Sequence, residues 1–121
     1  MTQDTHGPQL DVSVLIPVYN EEENLEALYE ELMPVLESLE MSFEVLFVDD
    51  GSTDGSFALL EQFYNRDPRL RIFRFARNFG QQMANTAGLR FARGRSVIIM
   101  DADLQTPAKH IPEFLDKLRE G

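Results

Sequence analysis

Four short apolar runs alternate with four stretches of helical periodicity, and this alternation limits the chain more than any other feature. The runs are DVSVLIPVYN (11–20), FEVLFVDD (43–50), RLRIFRF (69–75) and SVIIMDAD (96–103). Nearly unbroken β-branched segments of this length suit strands buried on both faces. The third run alternates and reads as a more exposed strand. In EEENLEALYEELMPVLESLE (21–40), Leu25, Leu28, Leu32, Val35, Leu36 and Leu39 recur at three-to-four spacing, which predicts an amphipathic helix. Pro34 inside it predicts a kink or a division. DGSFALLEQFYNR (54–66) predicts a helix with Phe57, Leu60 and Phe63 or Tyr64 on one side. FGQQMANTAGLRFARG (79–94) predicts another, closed by Gly94 at C′. TPAKHIPEFLDKLREG (106–121) predicts a last helix with Pro107 in its first turn.

Strand–helix repeats of this length imply parallel strands joined by right-handed crossovers, hence an α/β layered sheet. Such sheets bind ligands beyond the carboxyl ends of their strands. Those ends carry PVYNEE, VDDGSTD, FARNFG and MDADLQ, so polar residues gather along one edge. Residues 1–10 read as a flexible tail. No internal repeat is evident. Four strand–helix units make a thin sheet with nothing to cover its far side, and a fragment of a longer protein is expected.

Charge narrows the partners. The formal net charge is −10, which argues against non-specific nucleic-acid binding, since that needs cations to displace counterions. The cations are uneven: residues 1–65 hold no Lys or Arg, whereas Arg66, Arg69, Arg71, Arg74, Arg77, Arg90, Arg93 and Arg95 cluster together. They read either as a solvated face balancing an acidic half or as a surface turned toward an anionic lipid head group or diphosphate. There is no cysteine, so disulfides and thiolate metal sites are ruled out. No apolar run approaches the roughly 20 residues of a membrane helix. MTQDTHGPQL lacks the features of a signal peptide. The expected place is the cytosol or the cytosolic face of a membrane.

The edge segments carry the candidate chemistry. A dinucleotide-binding turn after the first strand would be Gly-rich. PVYNEEEN has no Gly, and Glu21, Glu22 and Glu23 would repel a phosphate. These acids suit the positive end of a helix, with Asn20 as its cap. Tyr19 and one Glu remain able to face a base or a ribose. In VDDGSTDG, Gly51 allows a tight turn and Ser52 or Asp54 can cap the next helix. Residues 50–61 also match a calcium-loop pattern, with Asp50, Ser52, Asp54, Gly55 and Glu61 at its positions one, three, five, six and twelve. A non-catalytic calcium-binding module is therefore the alternative reading, although β-rich FEVLFV stands where such a loop needs a helix.

In VIIMDADLQTP, Asp101 and Asp103 have left the strand and can face one site, chelating a hard cation directly or through water, with Gln105 adding an oxygen. Alternatively, one Asp caps the turn and the other is solvated. The glutamates of the first turn shift that balance. If that helix cannot hold a phosphate, a bound nucleotide diphosphate needs its charge neutralised elsewhere, and a divalent cation on Asp101 and Asp103 does so. Asp50 could then accept a base N–H. A phosphohydrolase with Asp101 as nucleophile fits less well, because three strands precede the motif.

At this point VSVLIPVYNEEENL, FEVLFVDDGSTDGS, RNFGQQMANTAGLRFARG and VIIMDADLQTP together resemble the family 2 glycosyltransferases of the GT-A fold, over residues 12–107. The likeness is strongest to the polyprenyl-phosphate branch, which includes dolichol-phosphate mannose synthase and undecaprenyl-phosphate sugar transferases. The resemblance implies a Rossmann-like layered sheet of mainly parallel strands with flanking helices, and residues 11–121 as the nucleotide-sugar-binding N-terminal part of that domain. It implies that Pro17, Tyr19 and Glu21 line a nucleoside pocket and that Asp50 contacts the base. It implies that Asp101 and Asp103, assisted by Gln105, bind Mg²⁺ or Mn²⁺, and that Arg77, Asn78 and Gly80 stand beside the site. The implied reaction moves a sugar from a UDP- or GDP-sugar to a polyprenyl phosphate at the cytoplasmic face of a membrane, and self-association is left open. Thr106 and Ala108 depart from the LQDPP frequent in the family, and the acceptor half is expected to lie beyond residue 121. The chain alone is expected to bind donor weakly and turn over nothing.

Overall fold

The computed structural model describes residues 9–103 and 108–120. The elements alternate as the pattern predicts: β1 (Leu10–Val18), α1 (Glu22–Ser38), β2 (Phe43–Asp49), α2 (Ser56–Arg66), β3 (Leu70–Arg74), α3 (Gln81–Phe91) and β4 (Gly94–Ile99), then a 3₁₀ turn (Ala108–His110) and α4 (Ile111–Glu120). All strand pairs are parallel, and the order is β3-β2-β1-β4. The chain steps outward from β1 to β3, then returns to the opposite side of β1. The order therefore reverses between β1 and β4, which is where α/β sheets open a crevice at their carboxyl ends.

The two inner strands are the most apolar because both their faces are covered. All seven residues of β2 are buried. On one face Val14, Ile16, Val45 and Phe47 meet Leu25, Leu28, Leu32 and Leu36 of α1, Leu60 and Phe63 of α2, and Ile111 and Leu115 of α4. On the other, Leu15, Leu46 and Val48 meet Ala84 of α3. Gly88 lies over Leu15, and a Cβ there would collide with that side chain, so α3 sits close against the sheet. Only partly buried β3 is an edge strand, as its alternation predicts.

Three local expectations are corrected. Pro34 does not divide α1, which runs unbroken from Glu22 to Ser38. Pro34 and Glu30, whose carbonyl loses its partner, are both exposed, so water can replace the missing bond. Gly94 is not a helix C′ residue: α3 ends at Phe91 and Gly94 opens β4. A Cβ at Gly94 would strike the backbone of Val12 and Ser13, so close strand approach explains this glycine. The last helix begins at Ile111, with Pro112 as its second residue, and the expectation for Pro107 lies outside the described residues.

A buried polar knot ties the opposite, amino end of the sheet. Glu44 on β2 is 2% exposed. Its carboxylate accepts from the Ser13 hydroxyl (2.6 Å), Arg93 N–H (2.6 Å) and Arg71 guanidinium (2.9 Å). The Ser13 hydroxyl in turn accepts from Gly94 N–H at 2.8 Å. One carboxylate thus joins β1, β2, β3 and the α3–β4 turn, leaving the carboxyl ends to the site.

Candidate functional site

The β1–α1 and β2–α2 turns are built as one unit. Asn20 takes a left-handed backbone (φ 53°), and its side-chain oxygen accepts from Thr53 N–H (2.8 Å) and Asp54 N–H (3.3 Å). Asn20 therefore does not cap α1, contrary to expectation; it holds the neighbouring turn. Caps are exchanged instead. The Ser56 hydroxyl accepts from Glu21 N–H (2.9 Å), Asp54 accepts from Glu22 N–H (3.3 Å) and from Ser56 N–H (2.9 Å), and Glu22 accepts from Gly55 N–H (3.0 Å). Each helix start is satisfied by the other turn.

The calcium-loop alternative is overturned by the same contacts. A strand, not a helix, precedes residue 50. Asp54 is occupied by N–H groups, and Asp50 turns away from it, toward residues 78–80. Among the described residues no three His, Asp or Glu side chains gather to hold a metal by themselves.

Beside these turns a cleft of about 500 Å³ opens at the β1–β4 reversal. Pro17, Tyr19, Glu21, Asp50, Asp101 and Asp103 all line it, so six of the residues singled out in the sequence come together. Tyr19 is 46% exposed and presents a ring to the opening. Beyond β4, Met100 and Ala102 are buried while Asp101 and Asp103 are exposed, so alternation carries both carboxylates to the solvent side. Burial pushes the Glu21 carboxyl above its ordinary value; Asn24 opposes this with a hydrogen bond, and the charges of Asp103, Asp54 and Asp101 add to the rise. The cleft is therefore a negative field. Arg77 is exposed, stacks over the Phe79 ring at 4.3 Å and is not among the lining residues. Gln105 lies outside the described residues.

Asp50 is 3% exposed. Its carboxylate accepts from Phe79 N–H (2.7 Å), Gly80 N–H (2.9 Å) and the Asn78 amide (3.0 Å). Three of its roughly four lone-pair sites are spent on this segment. Asn78, Gly80 and Gln81 thus join the cleft wall, and Gln81 had no signal in the sequence alone. Its place follows from where α3 starts and which strand end faces it.

The Glycosyl transferase family 2 profile matches residues 13–121. The chain belongs to glycosyl transferase family 2. An undecaprenyl-phosphate 4-deoxy-4-formamido-L-arabinose transferase of Proteus mirabilis is 44% identical over 111 residues, covering 91% of this chain and 34% of that protein. Among solved structures, residues 1–349 of Staphylococcus aureus TarS in complex with UDP-GlcNAc superpose with a TM-score of 0.70 at 26% identity, covering 91% of this chain and 31% of that one. The mannosyltransferase PcManGT of Pyrobaculum calidifontis, in complex with GDP-Man and Mn²⁺, gives 0.63 at 31% identity, covering 86% and 30%. These neighbours are GT-A glycosyltransferases, and the expected GT-A sheet is borne out. The chain spans about a third of the length of the curated relatives it matches.

Proposed function

We propose that the cleft is the donor half of a glycosyltransferase site, that it takes a UDP- or GDP-sugar, and that in the intact protein the sugar passes to a polyprenyl phosphate at the cytoplasmic face of the membrane. The observation that carries this reading is the meeting of Pro17, Tyr19, Glu21 and Asp50 with Asp101 and Asp103 along one cleft. The solved neighbours captured with UDP-GlcNAc and with GDP-Man and Mn²⁺ support the donor class, and the Proteus mirabilis relative's name supports the acceptor class. Among the described residues no helix is long and apolar enough to cross a membrane.

On this reading Tyr19 and Pro17 flank the base, Glu21 accepts from a ribose hydroxyl, and the remaining lone pair of Asp50 accepts a base N–H. Arg77, beside the cleft, offers its guanidinium to the anionic end of the donor. Two exposed carboxylates fit Mg²⁺ or Mn²⁺, because such hard ions take one or two carboxylates and complete their shell with water and substrate phosphates. Asp101, Asp103 and Gln105 would hold the ion, which supplies charge neutralisation for the leaving diphosphate. The cleft's own negative field explains why a bare diphosphate needs that neutralisation. In the transfer, an acceptor phosphate oxygen bonds to the anomeric carbon as the bond to the nucleotide β-phosphate oxygen breaks, and the nucleoside diphosphate leaves with the electron pair. The acceptor phosphate is already an anion, so no side chain need deprotonate it.

Calorimetric titration of UDP and GDP into the chain with Mn²⁺ tests the donor half. Binding is expected for one of them with Mn²⁺, and to be lost with EDTA or in Asp103→Ala. Equal binding of that nucleotide under all three conditions would remove the cation from the site.

A further inference from the structure

Asp50 and Asp101 stand at the ends of different strands, yet one short segment touches both. Asp50 grips residues 78–80 through three donors. A second, independent contact locks the same place: Gly51 has φ +74°, and a Cβ on it would overlap the Arg77–Asn78 peptide, so the two backbones lie in direct contact. The Asn78 amide also reaches the Asp50 carbonyl at 3.2 Å. Gly80 follows with φ +102°, and α3 begins at Gln81. The Gln81 amide then donates to Asp101 Oδ1 across a long 3.5 Å contact.

We propose that Gln81 is a positioning residue for Asp101, held in place by the Asp50 grip on Asn78–Gly80, so that the base end and the cation end of the cleft are mechanically joined. The inference rests on the reading of Asp101 as a cation ligand. The amide of Gln81 bonds one carboxylate oxygen, selects one Asp101 rotamer and leaves the second oxygen for the ion. A neutral donor suits this place. A lysine would neutralise the carboxylate, and a glutamate would add to the charge that already burdens Glu21. Partners of this kind behind metal ligands typically change metal affinity by about 10- to 100-fold. The long contact puts Gln81 at the lower end of that range.

Binding of Mn²⁺ alone to the chain, read by the loss of the free-ion electron paramagnetic resonance signal, tests this without any nucleotide, so a base contact by Asp50 cannot contribute. Asp101→Asn is expected to abolish binding. Gln81→Met, which keeps length and helix propensity but removes the donor, is expected to weaken it about tenfold with an unchanged melting temperature, because Gln81 is exposed. Asp50→Asn is expected to weaken it in the same direction from across the cleft. If Asp101→Asn loses Mn²⁺ while Gln81→Met binds like the native chain, the positioning role is wrong and the cation site stands. If Asp101→Asn binds Mn²⁺ like the native chain, the cation site falls and the positioning role with it. Because Gln81→Met leaves the core untouched, a folding defect in Asp50→Asn does not blunt the test.

Discussion

Replacing Glu44 with alanine should cost the fold more than any change in the cleft. The substitution leaves the Ser13 hydroxyl and the Arg93 N–H without their acceptor, and it takes the counter-charge from the Arg71 guanidinium, which keeps the Phe91 carbonyl as a neutral partner. Truncating one partner of a buried ion pair costs about 3–5 kcal/mol, chiefly because the other charge is stranded. Arg71 keeps 20% of its side chain exposed and can partly rehydrate, so the lower end, about 3 kcal/mol, applies. Domains of this size hold about 5–15 kcal/mol in total, so the loss is a large fraction. At about 3–5 °C per kcal/mol the melting temperature should fall by about 10–15 °C.

Glu44→Gln should fall between, at about 2 kcal/mol, because it keeps one acceptor oxygen and turns an NH₂ toward the remaining donors. Glu44→Met combined with Arg71→Met should be milder than Glu44→Ala alone, since no charge is then stranded. Urea unfolding followed by far-ultraviolet circular dichroism measures all three, with the slope unchanged if only stability has moved. A Glu44→Ala chain within about 1 kcal/mol of native, or a double variant worse than the single, would refute the stranded-charge account.

Three further outcomes follow from single contacts. Gly51→Ala should cost at least about 1 kcal/mol from its left-handed backbone alone, and more from collision with the Arg77–Asn78 peptide; urea melts and a matching loss of nucleotide affinity check it. The Asp67 carboxyl lies below its ordinary value, first through its hydrogen bond to Arg69 and against the opposing effect of burial. Its contribution is therefore present above about pH 4 and lost as the pH falls through the folded value. Asp67→Asn should lower stability at neutral pH and flatten the acid limb of a stability–pH curve between pH 2 and 7. The Glu21 carboxyl lies above its ordinary value, so its contribution has the opposite sign: it is full at acid pH and lost as the pH rises through the folded value. Glu21→Gln should remove that loss and melt slightly higher than native near pH 7 in EDTA, and added Mg²⁺ should narrow the gap.

The strands and helices were legible because their periodicity is a property of the chain alone. The misses arose where a residue's role depends on a distant neighbour. Gly94 has the residue type of a helix terminator, and only the approach of β1 reveals that it is a place with no room for a Cβ. Asn20 has the type and position of a cap, yet its partners are 33 and 34 residues away. Asp50 was visible as a site residue, but three of its bonds go to a segment that no spacing rule connects to it. Gln81 was invisible for the same reason. Asp101 and Asp103 were legible because two carboxylates one residue apart just past a strand end can face one site, and in the structure both are exposed on either side of buried Ala102.

The acidic excess thus divides by what each carboxylate is bonded to. Glu44 and Asp50 are buried and satisfied by donors from other elements, so they act as fasteners at opposite ends of the sheet. Glu21, Asp101 and Asp103 line the cleft, where mutual repulsion is already felt at Glu21. A fold keeps such a cluster only where the strand order forces a crevice or where something of opposite charge arrives to relieve it. Here the strand order supplies the first condition at the β1–β4 reversal, and the proposed cation would supply the second. On the proposed reading, the fastener at Asp50 keeps one wall of that crevice in register with the other, and the negative field felt at Glu21 would become affinity when a cation and its diphosphate enter.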